Sequence, residues 1–288
     1  MGNQTGNAWT PEPVTVTGTP DVVDTDAVQL ADLHSTGMAG LLWSRTATGS
    51  GGSPPRFLDL TGGVKPYLLD TLNNHLGALT TVAYRPSTSY YLADQADPAT
   101  RWRTTLPFPV HVVARVEVSD QVSAGRLVTE YRYHHGYWDG VEREFRGFAM
   151  VEQFDTETFH GSAVHYSPPT LTKSWFHVGP VAATEAGDWA ELDLDHEYWP
   201  GDPPQLSRPP EMVGALARLP RPDRPDALRA LRGQMLRTEL YALDGTDRQD
   251  RPYTVTESLA GVRVESERVY FPFPLAERIT QWSAAATR

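Results

Sequence analysis

The chain of 288 residues has no cysteine, which removes disulfides, thiolate metal centres, iron–sulfur clusters and cysteine nucleophiles together. Lysine is nearly missing as well, standing only at Lys65 and Lys173. Positive charge is therefore almost all arginine, spread among acids rather than gathered in runs. With 25 basic against 36 acidic residues the net charge is −11, and no polybasic segment is offered to phosphate or anionic lipid. Nucleic acid is a poor partner for such a chain. No uninterrupted apolar run reaches bilayer-spanning length, and Met1–Asn7 lacks the basic-then-apolar order of an export signal. The sequence thus implies neither membrane contact nor a signal peptide. Gly-x-Ser-x-Gly, a phosphate-binding glycine loop and His-Glu-x-x-His are also missing.

What is present is a chain 40% apolar and 10% aromatic, too hydrophobic for disorder and long enough for one large or two ordinary domains. Apolar–polar alternation rich in β-branched and aromatic residues recurs at Leu79–Tyr84, Val110–Val118, Leu127–Tyr133, Phe145–Phe154, Leu236–Leu243, Tyr253–Glu257 and Val262–Phe271. Glycine and proline punctuate these runs, which favours short antiparallel strands over a parallel α/β sheet. One short helix is expected near residues 225–232, where an early proline, Leu228 and Leu231, and a closing Gly233 coincide. Thr46–Pro55 and Pro200–Pro225 read as linkers or long loops, the second interrupted by eight prolines. Thr10–Thr19 and Val262–Phe271 read as strands at open ends, which suggests a piece of a longer protein.

Four stretches carry candidate chemistry. Asp32–Gly40 has the aspartate and Gly37 of a calcium loop, but His34, Thr36 and Gly40 stand where carboxylates are wanted, so a metal-free β-turn is favoured. In Tyr131–Glu144, His134 and His135 with Asp139 and nearby acids could form a metal or acid–base site. Adjacent strand residues face opposite ways, however, and a hairpin turning at Trp138-Asp139-Gly140, with Arg143 and Arg146 paired to Glu142 and Glu144, fits better. Glu191, Asp193 and Asp195 alternate as three carboxylates on one strand face would, within an acidic stretch running from Glu185 to Glu197. Finally, Arg85, Ser87–Ser89 and Glu265–Glu267 superficially match one class of ADP-ribosyltransferases. Those elements must line one cleft, whereas here several β units separate them.

Three long stretches are more specific. Tyr131–Phe148 continuing to Thr156, Thr172–Gly179, and Leu228–Gly245 resemble, in the family's order, the middle region of the B component of bacterial insecticidal toxin complexes. The residues carrying this likeness include Tyr131, Tyr133, Tyr137, Trp138, Gly140, Arg146, Gly147, Trp175, Arg237, Tyr241, Asp244 and Gly245. The resemblance implies a mostly β chain: the last blade of an FG-GAP-like β-propeller over residues 1–48, then the opening antiparallel strands of an Rhs/YD-repeat shell. Residues 49–160 and 161–288 would be the N- and C-terminal parts of the middle region, with Tyr241 and Asp244-Gly245 similar to the repeat's tyrosine–aspartate turn.

It also implies a non-enzymatic role in encapsulating a cytotoxic payload, within a secreted assembly. The implied partners are a pore-forming A component, a payload-bearing C component or the remainder of a longer B chain, and no cofactor is called for. Two alternatives stand beside it. One is a metal-dependent hydrolase using His134 and His135; the other is an independent adhesion module whose aromatic hairpin contacts a carbohydrate or protein.

Overall fold

The computed structural model describes residue 12 and residues 15–24, 26–45, 54–159, 168–182 and 189–282. Gly161, Glu185, Asp188, residues 46–53 of the first linker and part of Thr10–Thr19 lie outside them. The chain divides into two compact units, one ending at Tyr67 and the other beginning at Leu68. In the first, β1 (Asp26–Ala31), β2 (Gly40–Arg45) and β3 (Arg56–Leu58) form an antiparallel sheet in that order. Residues 15–19 are not strand. Gly40 is required where β2 meets β3, because a Cβ there would lie 2.4 Å from the Leu58 carbonyl oxygen and from the Phe57 ring.

The second unit is built on one sheet. β4 (Thr71–Asn73), β5 (Ala78–Pro86), β6 (His111–Asp120), β7 (Gly125–Asp139), β8 (Glu144–Phe159) and β9 (Thr170–Phe176) pair each with the next. After a two-residue pair, β10 (Val181–Ala182) with β11 (Trp189–Ala190), the chain rejoins β9 through β12 (Met235–Ala242). β13 (Thr254–Ser266) and β14 (Val269–Gln281) complete nine antiparallel strands. Chain order and sheet order coincide, the pattern expected of short β runs separated by turn residues. The sequence alternation therefore translates directly into strands.

Some expectations are corrected. Val262–Phe271 is two strands, not one, turning at Glu267 and Arg268, whose φ of 58° is left-handed. β14 then runs through Pro272 and Pro274. It can do so because it is an edge strand, where a missing N–H costs no ladder bond. The proline-rich loop holds a second helix, α2 (Pro210–Arg218), since Pro210 occupies the first helical position, where its fixed φ suits the helix. The expected helix appears as α3 (Arg224–Arg229), with Gly233 at φ 81° beyond it.

A third helix, α1 (Ser87–Gln95), follows β5 and was not legible in the Ser87–Ser89 stretch. That stretch is its first turn, and Ser87 Oγ accepts the Val110 N–H at 3.0 Å. Five strands separate β5, which carries Arg85, from β13, which carries Glu265, so the two do not share a cleft. Glu191, Asp193 and Asp195 follow the end of β11 and lead into a single 3-10 turn, Asp195–Glu197, so no strand aligns their carboxylates.

Two cores lie against the sheet. One joins Tyr137, Ala149, Met150, Trp175, Val178 and Leu194; the other packs Ala227, Leu228 and Leu231 of the α3 region on Ala260 and Val262 of β13.

Candidate functional site

The β7–β8 hairpin carries most of the residues the sequence singled out. Gly140–Arg143 turns between Asp139 and Glu144. The Asp139 carboxylate accepts the backbone N–H groups of Val141 and Glu142 at 2.9 and 3.1 Å and the Arg146 guanidinium at 2.6 Å. Both side chains of that ion pair are almost wholly buried. Arg146 also stands 3.4 Å from Glu144, as expected, but Glu142 pairs with Arg229 instead, because the turn carries it toward α3. Gly147 has φ 98°, a conformation that favours glycine. Gly136 leaves room for Trp102, Leu106 and Phe148, each within 3 Å of where a Cβ would stand.

His134 and His135 serve different partners. His134 Nδ1 lies 2.8 Å from Asp94 at the end of α1, whose carboxylate also accepts the Trp102 indole N–H at 2.6 Å. Its Nε2 faces Glu152 at 3.7 Å, and Lys173 stands 3.6 Å from that carboxylate. Burial opposes charging the ring, but hydrogen bonds and attraction from Asp94 and Glu152 outweigh it and push its pKa up to about 9.

His135 has left-handed backbone, φ 55°, which turns it away from its neighbour. Its Nδ1 accepts the Arg103 N–H at 3.1 Å, so Nε2 donates to Glu197 at 2.6 Å. Glu197 accepts the Trp175 indole N–H as well, at 2.9 Å. Among the described residues no group of three or more His, Asp or Glu is placed to hold a metal ion, and the two histidines do not converge.

Glu197 belongs to a strap, residues 191–208, laid over β9, β12 and β13. Glu191 pairs with His177 at 2.7 Å and with Arg208; burial works against its charge, but these two partners hold its pKa down at about 2. Further along, Arg237 of β12 donates to Glu239 at 2.7 Å and to Asp202 of the strap at 3.0 Å, beneath the Tyr198 ring at 4.8 Å. Glu239, fully buried, also accepts the Tyr241 hydroxyl and the Trp199 N–H. Glu257 of β13 accepts the Leu206 N–H at 2.6 Å and the Arg278 guanidinium. Sheet carboxylates thus satisfy strap backbone donors, and strap carboxylates satisfy sheet cations.

The ladder register makes this face unusual. Side chains alternate along a strand, and register extends each set across the sheet. Arg115, Arg126, Arg132, Lys173, Arg237 and Arg278 all fall on the strapped face. The opposite face of β12 presents Thr238 and Leu240, flanked by Thr172 and Ser174 of β9 and by Thr254 and Thr256 of β13, while Leu236, at the bulge between Met235 and Arg237, packs against the Trp175 core. None of these six is buried, whereas Arg237, Glu239 and Tyr241 are. On β12, Arg237 and Glu239 are inside and Leu240 is outside, the reverse of the usual order.

The remaining singled-out residues have local structural roles. Asp32 accepts the N–H groups of Thr36 and Gly37 at 2.9 and 2.7 Å, closing the β1–β2 turn. Asp244 accepts the Thr246 N–H at 3.0 Å, and Gly245 at φ 73° completes the turn after β12. Tyr131 and Tyr133 receive α1, since the Tyr90 hydroxyl donates to the Tyr131 carbonyl at 3.0 Å and its ring meets Tyr133 edge-on. Trp138 meets Phe108 edge-on at 4.8 Å.

Asp94, Glu152, Asp202, Glu239 and Glu257 were not singled out from sequence. Only Glu239 had a local signal there, its alternation with Arg237 and Tyr241.

The model of the insecticide toxin TcdB middle/N-terminal region matches residues 2–179, and that of the TcdB middle/C-terminal region matches residues 226–275. Among solved structures, a TcdB2–TccC3–Cdc42 crystal structure matches over 91% of this chain at 32% identity with a TM-score of 0.70. A Photorhabdus luminescens Tc holotoxin pore matches over 93%, at 32% identity and a TM-score of 0.74. TcdB2–TccC3 without its hypervariable C-terminal region gives 34% identity over 91% and a TM-score of 0.71. This chain spans only 12–13% of the length of those chains. No curated protein sequence matches it.

Proposed function

The chain belongs to the insecticide toxin TcdB family, spanning its middle region, and from that premise we propose that it is a non-enzymatic wall segment of a toxin-complex B component. In this reading residues 1–48 end a propeller-like region, and 49–160 and 161–288 form the two parts of the middle region. The wall helps enclose a cytotoxic payload supplied by a C component, and the assembly docks on a pore-forming A component and acts outside the producing cell. The observation that carries the reading is the nine-stranded antiparallel sheet, which follows chain order and is braced by its own strap. A continuous sheet of this kind covers area rather than converging side chains on one reacting atom.

The test is to replace the corresponding segment of TcdB2 with this chain, assemble the product with TccC3 and expose it to protease. The reading expects the enclosed C-terminal segment of TccC3 to survive digestion as in unaltered TcdB2. Digestion of that segment in a complex that still assembles would overturn it. The hydrolase alternative requires His134 and His135 to converge, and they point to Asp94 and Glu197 instead.

A further inference from the structure

We infer that the cleft between the strap and β12, with Arg237 and Asp202 at its floor, is a binding site for a neutral saccharide; the inference stands apart from the wall reading above. The cleft has a volume of about 590 Å3, within the range of small-molecule sites. Arg237 of β12 and Asp202 of the strap both line it, and their side chains are 2% and 3% exposed. One end of each group is taken, since Arg237 Nη1 donates to Asp202 Oδ2 and Arg237 Nε to Glu239. The other ends, Arg237 Nη2 and Asp202 Oδ1, are buried and have no hydrogen-bond partner among the described residues. Buried polar atoms are rarely left so, and an orphan donor and an orphan acceptor lining one cleft call for a molecule that meets both.

Charge and lining select the class of molecule. Beneath the strap two cations, Arg237 and Arg278, face three carboxylates, Asp202, Glu239 and Glu257, which leaves one net negative charge. An anion is therefore repelled. An ammonium group would satisfy Asp202 but has no lone pair for the Arg237 N–H, whereas a hydroxyl donates and accepts at once. Around the floor, Trp199, Pro203 and Pro204 form apolar walls, and the exposed Asp195, His196 and Gln205 form a polar rim. A molecule bearing several hydroxyls and apolar C–H faces fits this lining, its hydroxyls on floor and rim and its C–H faces on the walls. The site is built by the strap and β12, not by the β7–β8 hairpin to which the sequence pointed for a carbohydrate contact.

The test is saturation-transfer difference NMR on the full chain with glucose, galactose, mannose and N-acetylglucosamine as probes, and with acetamide as a small amide for comparison. Asp202→Ala removes the acceptor at the floor. Gln205→Trp, at the exposed rim, narrows the mouth without touching an ion pair, and decides alone where Asp202→Ala does not fold. The expected result is saturable binding of at least one sugar, weakened about tenfold or more in each folded variant, as loss of a hydrogen bond to a charged group implies. No saturable signal from any of the sugars would mean that water alone meets the two atoms, and would overturn the inference. Binding of acetamide alone, or sugar binding unchanged in either folded variant, would overturn it as well. The wall reading stands or falls separately, on the protease protection of TccC3.

Discussion

The two faces of β12 differ sharply in burial. On the strapped face, Arg237, Glu239 and Glu257 are nearly inaccessible and bound into ion pairs and backbone hydrogen bonds. On the open face Thr238 is half-buried beside the Ser174 hydroxyl and Leu240 is exposed, while Leu236, at the bulge before Arg237, packs against the Trp175 core. The difference teaches that on β12 burial follows the face that the 191–208 strap crosses, and not side-chain hydropathy alone.

The largest effect that would sharpen the comparison is at Arg237. Arg237→Met leaves Glu239 buried without its cation and Asp202 with only Arg278, 3.7 Å away, and should cost about 3–5 kcal/mol in denaturant unfolding. A loss under about 1 kcal/mol would mean that the network is well solvated and the faces are not so different.

Next comes pH. His134 has its pKa raised from 6.5 to about 9, so its stabilising contribution is full below 6.5 and is lost as pH rises through 9. The shift corresponds to about 3 kcal/mol. Unfolding midpoints measured from pH 6 to pH 10 should fall across that window, and His134→Gln should flatten the fall. An unchanged slope in the variant would assign the effect elsewhere. Glu191, with its pKa lowered to about 2, acts at the opposite end: its clasp to His177 and Arg208 is present above the ordinary glutamate range and is lost only as pH falls toward 2.

A middle-sized effect is expected at Glu197, which ties His135 and Trp175 to the strap. Glu197→Ala should cost about 1–3 kcal/mol by orphaning two buried donors, with the near-ultraviolet signal of Trp175 altered. The smallest belongs to the open face. Leu240→Thr should change stability by no more than about 0.5 kcal/mol, and a cost comparable to that at Arg237 would break the comparison outright.

Much of this architecture was legible in the sequence. Period-two alternation located β5, β6, β7, β8 and β12, and the Asp139-Gly140 turn located the central hairpin. The adjacency of His134 and His135 already argued that they serve different partners. What alternation could not say is which face is covered. Applied to β12, the rule of apolar inside selects Leu240 over its charged neighbours, and the structure buries Arg237 and Glu239 instead, because they have partners in the strap.

Those partners are far off in the chain: Asp202 is 35 residues from Arg237, and Glu197 is 62 from His135. No local pattern announces such pairs. Proline misled in both directions. At Pro210 it starts a helix where a loop was expected, and at Pro272 and Pro274 it is carried by an edge strand where an end was expected. In each case the missing N–H lies where no partner was needed.

The most direct test of the central claim, that the polar face is covered and the aliphatic face open, is hydroxyl-radical footprinting of the folded chain with residue-level mass spectrometry. Trp175 and Tyr241 are intrinsically the more reactive side chains, yet they are 0% and 8% exposed, against 37% for Leu240 and 59% for Ile279. The account predicts that Leu240 and Ile279 are oxidised while Trp175 and Tyr241 stay protected until the chain unfolds. Rapid oxidation of Trp175 and Tyr241 in the folded chain, with Leu240 and Ile279 protected, would contradict it.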